Sequence, residues 1–114
     1  MPTTELPLEI QASQLAKLLA DQVPVFLLDC REDYEHQIAR IEPSELIPMN
    51  TIPNNLSRIE SLAEGKQLIV YCHHGVRSLN TGAWLRRQGL ETALSLTGGI
   101  ERWSMEIDPK VPRY

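Results

Sequence analysis

Cysteine is scarce in this sequence: Cys30 and Cys72 are the only two, and they form no CxxC pair. Two are too few for a disulfide framework, so both are expected as reduced thiols. Long apolar runs are missing as well. None approaches the roughly 18 residues that a membrane span needs, and the amino-terminal MPTTELPLEI has neither the basic flank nor the apolar core of a leader. A cytoplasmic protein is the expectation. Positive charge is in deficit, with 11 Lys and Arg against 15 Asp and Glu and a net charge of −4, so there is no general attraction for nucleic acid or an anionic membrane. Any anion site must therefore be local. Ligand spacing for a metal is absent too, because His73 and His74 adjoin Cys72 directly and successive residues rarely point at one ion. Neither repeats nor low-complexity stretches occur, and residues 1–114 read as one domain with one core.

What is present alternates between short apolar strands and amphipathic helices. Leu8 to Ile10 is a strand candidate, and Ser13 is placed to cap a helix carrying Leu15, Leu18 and Leu19 on one face. Val25-Phe26-Leu27-Leu28 is apolar at every position, the pattern of a strand covered on both faces in a parallel sheet. Asp29 ends that strand and is placed to cap the polar REDYEHQIAR helix; Glu45 to Met49 is a weak third strand between prolines. A helix is expected from Pro53 to Gly65, then the strand Leu68 to Tyr71, a helix from about Arg77 to Gly89, a strand Ala93 to Leu96 and a last helix opened by Gly98-Gly99. The tail, EIDPKVPRY, is expected to be extended. The whole pattern predicts an open α/β sheet with helices on both faces. Such sheets carry their sites at the carboxyl ends of strands, which puts Asp29 and Cys72 on one edge of the molecule.

The chemistry concentrates at Cys72. His73, His74, Gly75 and Val76 form a tight connection between a strand and a helix, and their amides can curl into an anion nest facing the helix amino terminus. A thiol there loses its proton more readily, and the thiolate is the nucleophile. Attack on the outer sulfur of a donor such as thiosulfate gives a persulfide, whose sulfur a second nucleophile then collects; this double displacement needs no cofactor. Arg77 has two readings: a planar fork for an anionic donor, or a brace against Asp29 or Glu35. His73 and His74 read as loop-surface residues rather than general bases, and Ser78 as a helix cap. Cys30, beside a core strand, reads as a structural thiol.

Together these residues resemble the rhodanese family, whose active loop is a Cys followed by four residues and then often Arg with Ser or Thr. Here it is Cys72-His73-His74-Gly75-Val76-Arg77-Ser78. LLDCREDYE looks like the family's Asp-x-Arg-Glu segment, carried by Asp29, Arg31, Glu32 and Glu35, and LTGGIERW is similar to its Gly-Gly-x-x-x-Trp segment. The resemblance spans the chain. It implies a three-layer α/β/α domain with a five-stranded parallel sheet in the order 3-2-4-5-1, and a persulfide on Cys72. It also implies that His73, His74, Gly75, Val76 and Arg77 bind substrate, with Asp29, Arg31 and Ser78 in support. The implied partners are a small sulfane-sulfur donor and a thiol, cyanide or protein acceptor. The stretch Gln37 to Leu46 departs from the His-Ile-Pro-Gly-Ala-like segment of many relatives, so the pocket rim there is expected to differ.

Two other functions compete. A Cys-loop-Arg on an α/β sheet also suits a phosphatase, but the related phosphatases have one more residue between Cys and Arg, a wider cradle for a tetrahedral phosphate. A non-catalytic or sulfur-relay module that docks a partner protein is the other, since a fold alone does not secure a function.

Overall fold

The structure is a computed structural model that describes residues 7–114; the first six residues of the segment inspected for a leader lie outside it. In chain order the elements are β1 (Glu9–Ile10), α1 (Ala12–Ala20), β2 (Val25–Asp29), α2 (Asp33–Ile38), β3 (Glu45–Leu46), two 3₁₀ turns (Met49–Thr51 and Pro53–Asn55), α3 (Leu56–Ala63), β4 (Gln67–Tyr71), α4 (Val76–Arg87), β5 (Leu94–Leu96) and α5 (Gly99–Glu106). The five strands are all parallel and lie in the order β1-β5-β4-β2-β3. This is the expected 3-2-4-5-1 order read from the opposite edge.

Alternation along the central strands divides the core into two layers. Leu27, Ile69 and Tyr71 face one side, where Ala12 and Leu15 of α1 and Ile100 and Trp103 of α5 cover them. Phe26, Leu28, Leu68 and Val70 face the other, under Ile59 and Ala63 of α3 and Leu85 of α4. Both faces being dry explains why β2 and β4 read as unbroken apolar runs. Leu15, Leu28, Ile59, Ile69 and Leu85 are fully buried, and truncating any of them to Ala is expected to cost about 2–5 kcal/mol.

Several local expectations change. Ser13 lies inside α1; the amino-terminal cap is Gln11, whose N–H donates to Gln14 Oε1 at 2.9 Å. Asp29 does not cap α2. Glu32 does, its N–H donating to Glu35 Oε1 at 3.0 Å, and Asp29 is left free to pair with Arg31. β3 stops at Leu46, because Pro48 opens a 3₁₀ turn; even so, Ile47 and Met49 N–H donate to Asp29 and Cys30 carbonyls and continue the contact with β2. The tail is not simply extended. It turns at Asp108, where Val111 N–H donates to the Asp108 carbonyl at 3.0 Å, and Ser104 Oγ donates to the Val111 carbonyl at 2.5 Å. That turn sends Tyr114 back over the carboxyl edge of the sheet.

Candidate active site

Cys72 stands one residue past β4, where the sheet ends and α4 has not begun. The turn between them is made by Gly75, at φ +105° the residue preceding α4, a conformation that side chains resist. The turn aims two backbone donors at the sulfur: Gly75 N–H at 3.1 Å and Ser78 N–H at 3.3 Å from Sγ. Ser78 Oγ lies 3.4 Å from Sγ and 2.7 Å from Ser95 Oγ. With Cys72 ionised, the Ser95 hydroxyl can donate to Ser78 and the Ser78 hydroxyl to the thiolate, so each proton has a use. Ser78 is thus a ligand of the sulfur and not the expected helix cap, since it lies inside α4, whose cap is Gly75.

Cys72 is 1% exposed, and burial by itself disfavours the thiolate. Donors outweigh it. The neighbouring Cys30 thiol, then the Ser78 hydroxyl and the Ser78 and Gly75 amides, pull the Cys72 thiol down to about 5. The sulfur is therefore a thiolate at neutral pH, at the positive end of the α4 dipole. Cys30 was read as a structural thiol; it is fully buried as that reading requires, but it also serves the nucleophile. Its thiol donates to the Tyr71 carbonyl at 3.5 Å, and the Cys72 sulfur beside it together with burial pushes it far above the ordinary range.

A second set of contacts holds the loop from outside. Gly99 opens α5 at φ +61°, and a Cβ there would collide with the carbonyl oxygens of Cys72 and His73. The close approach lets α5 donate its free amino-terminal amides to the loop: Ile100 N–H to the Cys72 carbonyl at 2.9 Å and Glu101 N–H to the His73 carbonyl at 3.1 Å. The Gly-Gly-x-x-x-Trp segment thus braces the loop, while Trp103 anchors the same helix in the core.

Of the two roles considered for Arg77, the structure displays the brace. Its guanidinium is bidentate to Glu35, Nη1 to Oε1 at 2.7 Å and Nη2 to Oε2 at 2.9 Å. The Arg77 guanidinium holds the Glu35 carboxyl down at about 2. Asp29 takes no part in this; it is saturated by Arg31, whose Nε and Nη2 donate to Oδ1 at 2.8 Å and Oδ2 at 2.7 Å, and it lies 2.8 Å from His36 Nδ1. Asp29 and Arg31 are both fully buried and form a floor of polar contacts with His36, Ala39 and Tyr114.

His73 is not a free surface residue. Its ring is stacked between His74 and Tyr114, with centroids 3.9 Å away on each side, and burial and the His74 charge lower its pKa. His74 and Val76 are exposed at the mouth of the loop. Potential ligand atoms of His73, His74 and Glu101 fall within 4.8 Å of one another. Stacking, however, makes the in-plane lone pairs of the two imidazoles run side by side instead of converging, and Glu101 already accepts from Arg113 at 2.6 Å.

Sequence reasoning missed Tyr114 and Ser95. Tyr114 donates its hydroxyl to Glu35 Oε2 at 2.7 Å and accepts from Arg31 Nη1 at 2.6 Å, tying tail, α2 and floor together. No motif marks a lone Tyr behind two prolines, and Ser95 inside a three-residue strand gives no signal either. The divergent stretch after α2 is held by buried groups: the Ala39 carbonyl accepts from Arg31 Nη2 at 2.5 Å, and Tyr71 Oη accepts from Ile41 N–H at 3.2 Å and lies 2.9 Å from Ser44 Oγ. Ala39 and Ile41 belong to the layer under α1 and α5, on the opposite face of the sheet from Cys72.

Comparison with known proteins agrees with this geometry. Residues 11–106 match the rhodanese-like domain, and the chain belongs to that family. It is 34% identical over 96 residues to a sulfurtransferase of Allochromatium vinosum, covering 84% of this chain and 87% of that protein. It is also 34% identical over 109 residues to adenylyltransferase and sulfurtransferase MOCS3-1 of Zea mays, covering 92% of this chain but only 23% of the relative, so it spans about a quarter of that longer protein. Among solved structures, a rhodanese-like domain protein from Staphylococcus aureus superposes with a TM-score of 0.76 at 30% identity, over 93% of this chain and 97% of that one.

Proposed function

We propose that the protein is a sulfurtransferase that carries sulfane sulfur as a persulfide on Cys72, taking it from a donor such as thiosulfate and passing it to a thiol, cyanide or protein acceptor. The observation that carries this reading is the pair of amides, Gly75 and Ser78 N–H, converging on a buried Sγ. They stabilise a thiolate before reaction and can accept a persulfide anion afterwards at little reorganisation cost. In the first step the thiolate attacks the outer sulfur of thiosulfate and sulfite leaves with the bonding pair; in the second, the acceptor attacks the outer persulfide sulfur and the Cys72 thiolate is restored. Nothing in either step needs a base once the thiol has ionised, which fits two His side chains occupied in stacking. The two unpaired thiols suit a reducing compartment, and a cytoplasmic location is part of the proposal.

Passage to a protein acceptor gains support from the Zea mays relative, in which a matching domain occupies a quarter of a longer chain named for two activities. Turnover tests the reading directly. With thiosulfate and cyanide, thiocyanate should form and Cys72→Ser should abolish it; hydrolysis of an aryl phosphate with no thiocyanate formed would favour the phosphatase instead.

A further inference from the structure

Transfer through Cys72 leaves a second buried nucleophile without a chemical task. Cys30 follows Asp29 at the end of β2, Cys72 follows Tyr71 at the end of β4, and Asp29 pairs in register with Tyr71. Cys30 N–H donates to the Tyr71 carbonyl at 3.2 Å, carrying the ladder one step beyond the strand ends. Both side chains then turn into the same layer under α3 and α4. Neighbouring strands lie about 4.8 Å apart, inside the roughly 4.4–6.8 Å between Cα atoms that a disulfide spans. The amides of Gly75 and Ser78 reach Sγ of Cys72 from the loop and the first turn of α4, whereas Cys30 shares its buried cluster from the end of β2.

We infer that Cys30 resolves the Cys72 persulfide when no acceptor removes its sulfur, releasing sulfide and leaving a Cys30–Cys72 disulfide; the inference rests on the sulfurtransferase reading above. Cys30 attacks Sγ of Cys72, the inner sulfur. A bond forms between the two cysteine sulfurs, the bond from Sγ to the outer sulfur breaks, and the outer sulfur leaves as hydrosulfide with the Cys30 proton. Counted from the two thiols and the incoming zero-valent sulfur, each cysteine sulfur gives up one electron and the incoming sulfur takes both. No outside oxidant is required, and a dithiol reductant restores the starting state. While Cys72 is a bare thiolate, it offers Cys30 no electrophile, and the Cys30 thiol donates to the Tyr71 carbonyl at 3.5 Å. Loading moves the charge to the outer atom and turns Sγ into an electrophile facing Cys30.

The test compares wild type with Cys30→Ser, which keeps a hydrogen-bond donor and loses the sulfur. Each is loaded with thiosulfate and, separately, inorganic polysulfide, then desalted and followed by intact mass and sulfide release. Wild type should pass from a gain of one sulfur to a mass two hydrogens below the starting chain, release one sulfide per chain, and yield a linked Cys30–Cys72 peptide on digestion. Cys30→Ser should hold its added sulfur several times longer. A wild-type chain that keeps its sulfur as long as the variant and yields no linked peptide would overturn the role of Cys30 and leave the transferase reading standing. Failure of both forms to gain sulfur from either donor would overturn that reading, and this inference with it. The linked peptide is read on wild type alone, so the outcome does not depend on the variant folding.

Discussion

The pivotal residue is a sulfur whose burial and hydrogen bonds pull in opposite directions, and the hydrogen bonds win. Cys72 at about 5 should react with iodoacetamide at a rate that stays level from neutral pH down to about 6 and halves near 5, unlike a free thiol at about 8.5. Because the Cys30 thiol is the largest influence lowering Cys72, Cys30→Ala should move that midpoint upward, while Cys30→Ser should move it less. Glu35 makes a second residue-scale prediction. Its folded pKa of about 2 lies below the roughly 4.3 of an unfolded Glu, so its stabilisation is complete above the unfolded value and is lost as pH falls through the folded one. Urea midpoints should therefore drop between about pH 5 and pH 2, and Glu35→Gln should flatten that slope and cost about 1–3 kcal/mol at neutral pH.

At the scale of elements, the loop is held by the helix that follows it, α4, and by a helix from further along the chain, α5. Gly99→Ala would drive a methyl group into the Cys72 and His73 carbonyls, so it should break the two α5-to-loop hydrogen bonds and abolish sulfur loading. Gly65→Ala is the control: its φ of +73° imposes strain, but nothing lies within 4 Å of the added carbon. It should cost about 1–2 kcal/mol in denaturant unfolding and leave loading unchanged. The same contrast shows what the sequence disclosed. β2, β4 and the Cys72 turn were legible because an unbroken apolar run and a Gly after a Cys each report a local constraint. The caps of α1 and α2 were misplaced because Gln11 and Glu32 outcompeted better formers, Ser13 and Asp29, once tertiary pairing had claimed Asp29 for Arg31. Gly99 was recognised as a motif, yet its purpose depends on a contact across 27 residues of chain from Cys72 and has no local signature.

For the whole molecule, the carboxyl edge of the sheet is closed by one connected set of polar contacts. It runs from Arg77 through Glu35 and Tyr114 to Arg31 and Asp29. Tyr114 links the tail to this set, and an expectation of an extended tail could not foresee it, since a turn at Asp108 directs the chain. Tyr114→Phe keeps the ring over His73 and deletes two hydrogen bonds, so the urea midpoint should fall by an amount equivalent to about 1–2 kcal/mol with an unchanged m-value. Through Arg77 these contacts adjoin the loop of Cys72, the sulfur proposed to carry a persulfide, and loading tests that proposal most directly. After incubation with thiosulfate and removal of excess donor, intact-protein mass spectrometry should show the mass of one added sulfur, removed by a thiol acceptor and absent from Cys72→Ser. An unmodified wild-type mass, or an adduct that survives in Cys72→Ser, would contradict the account.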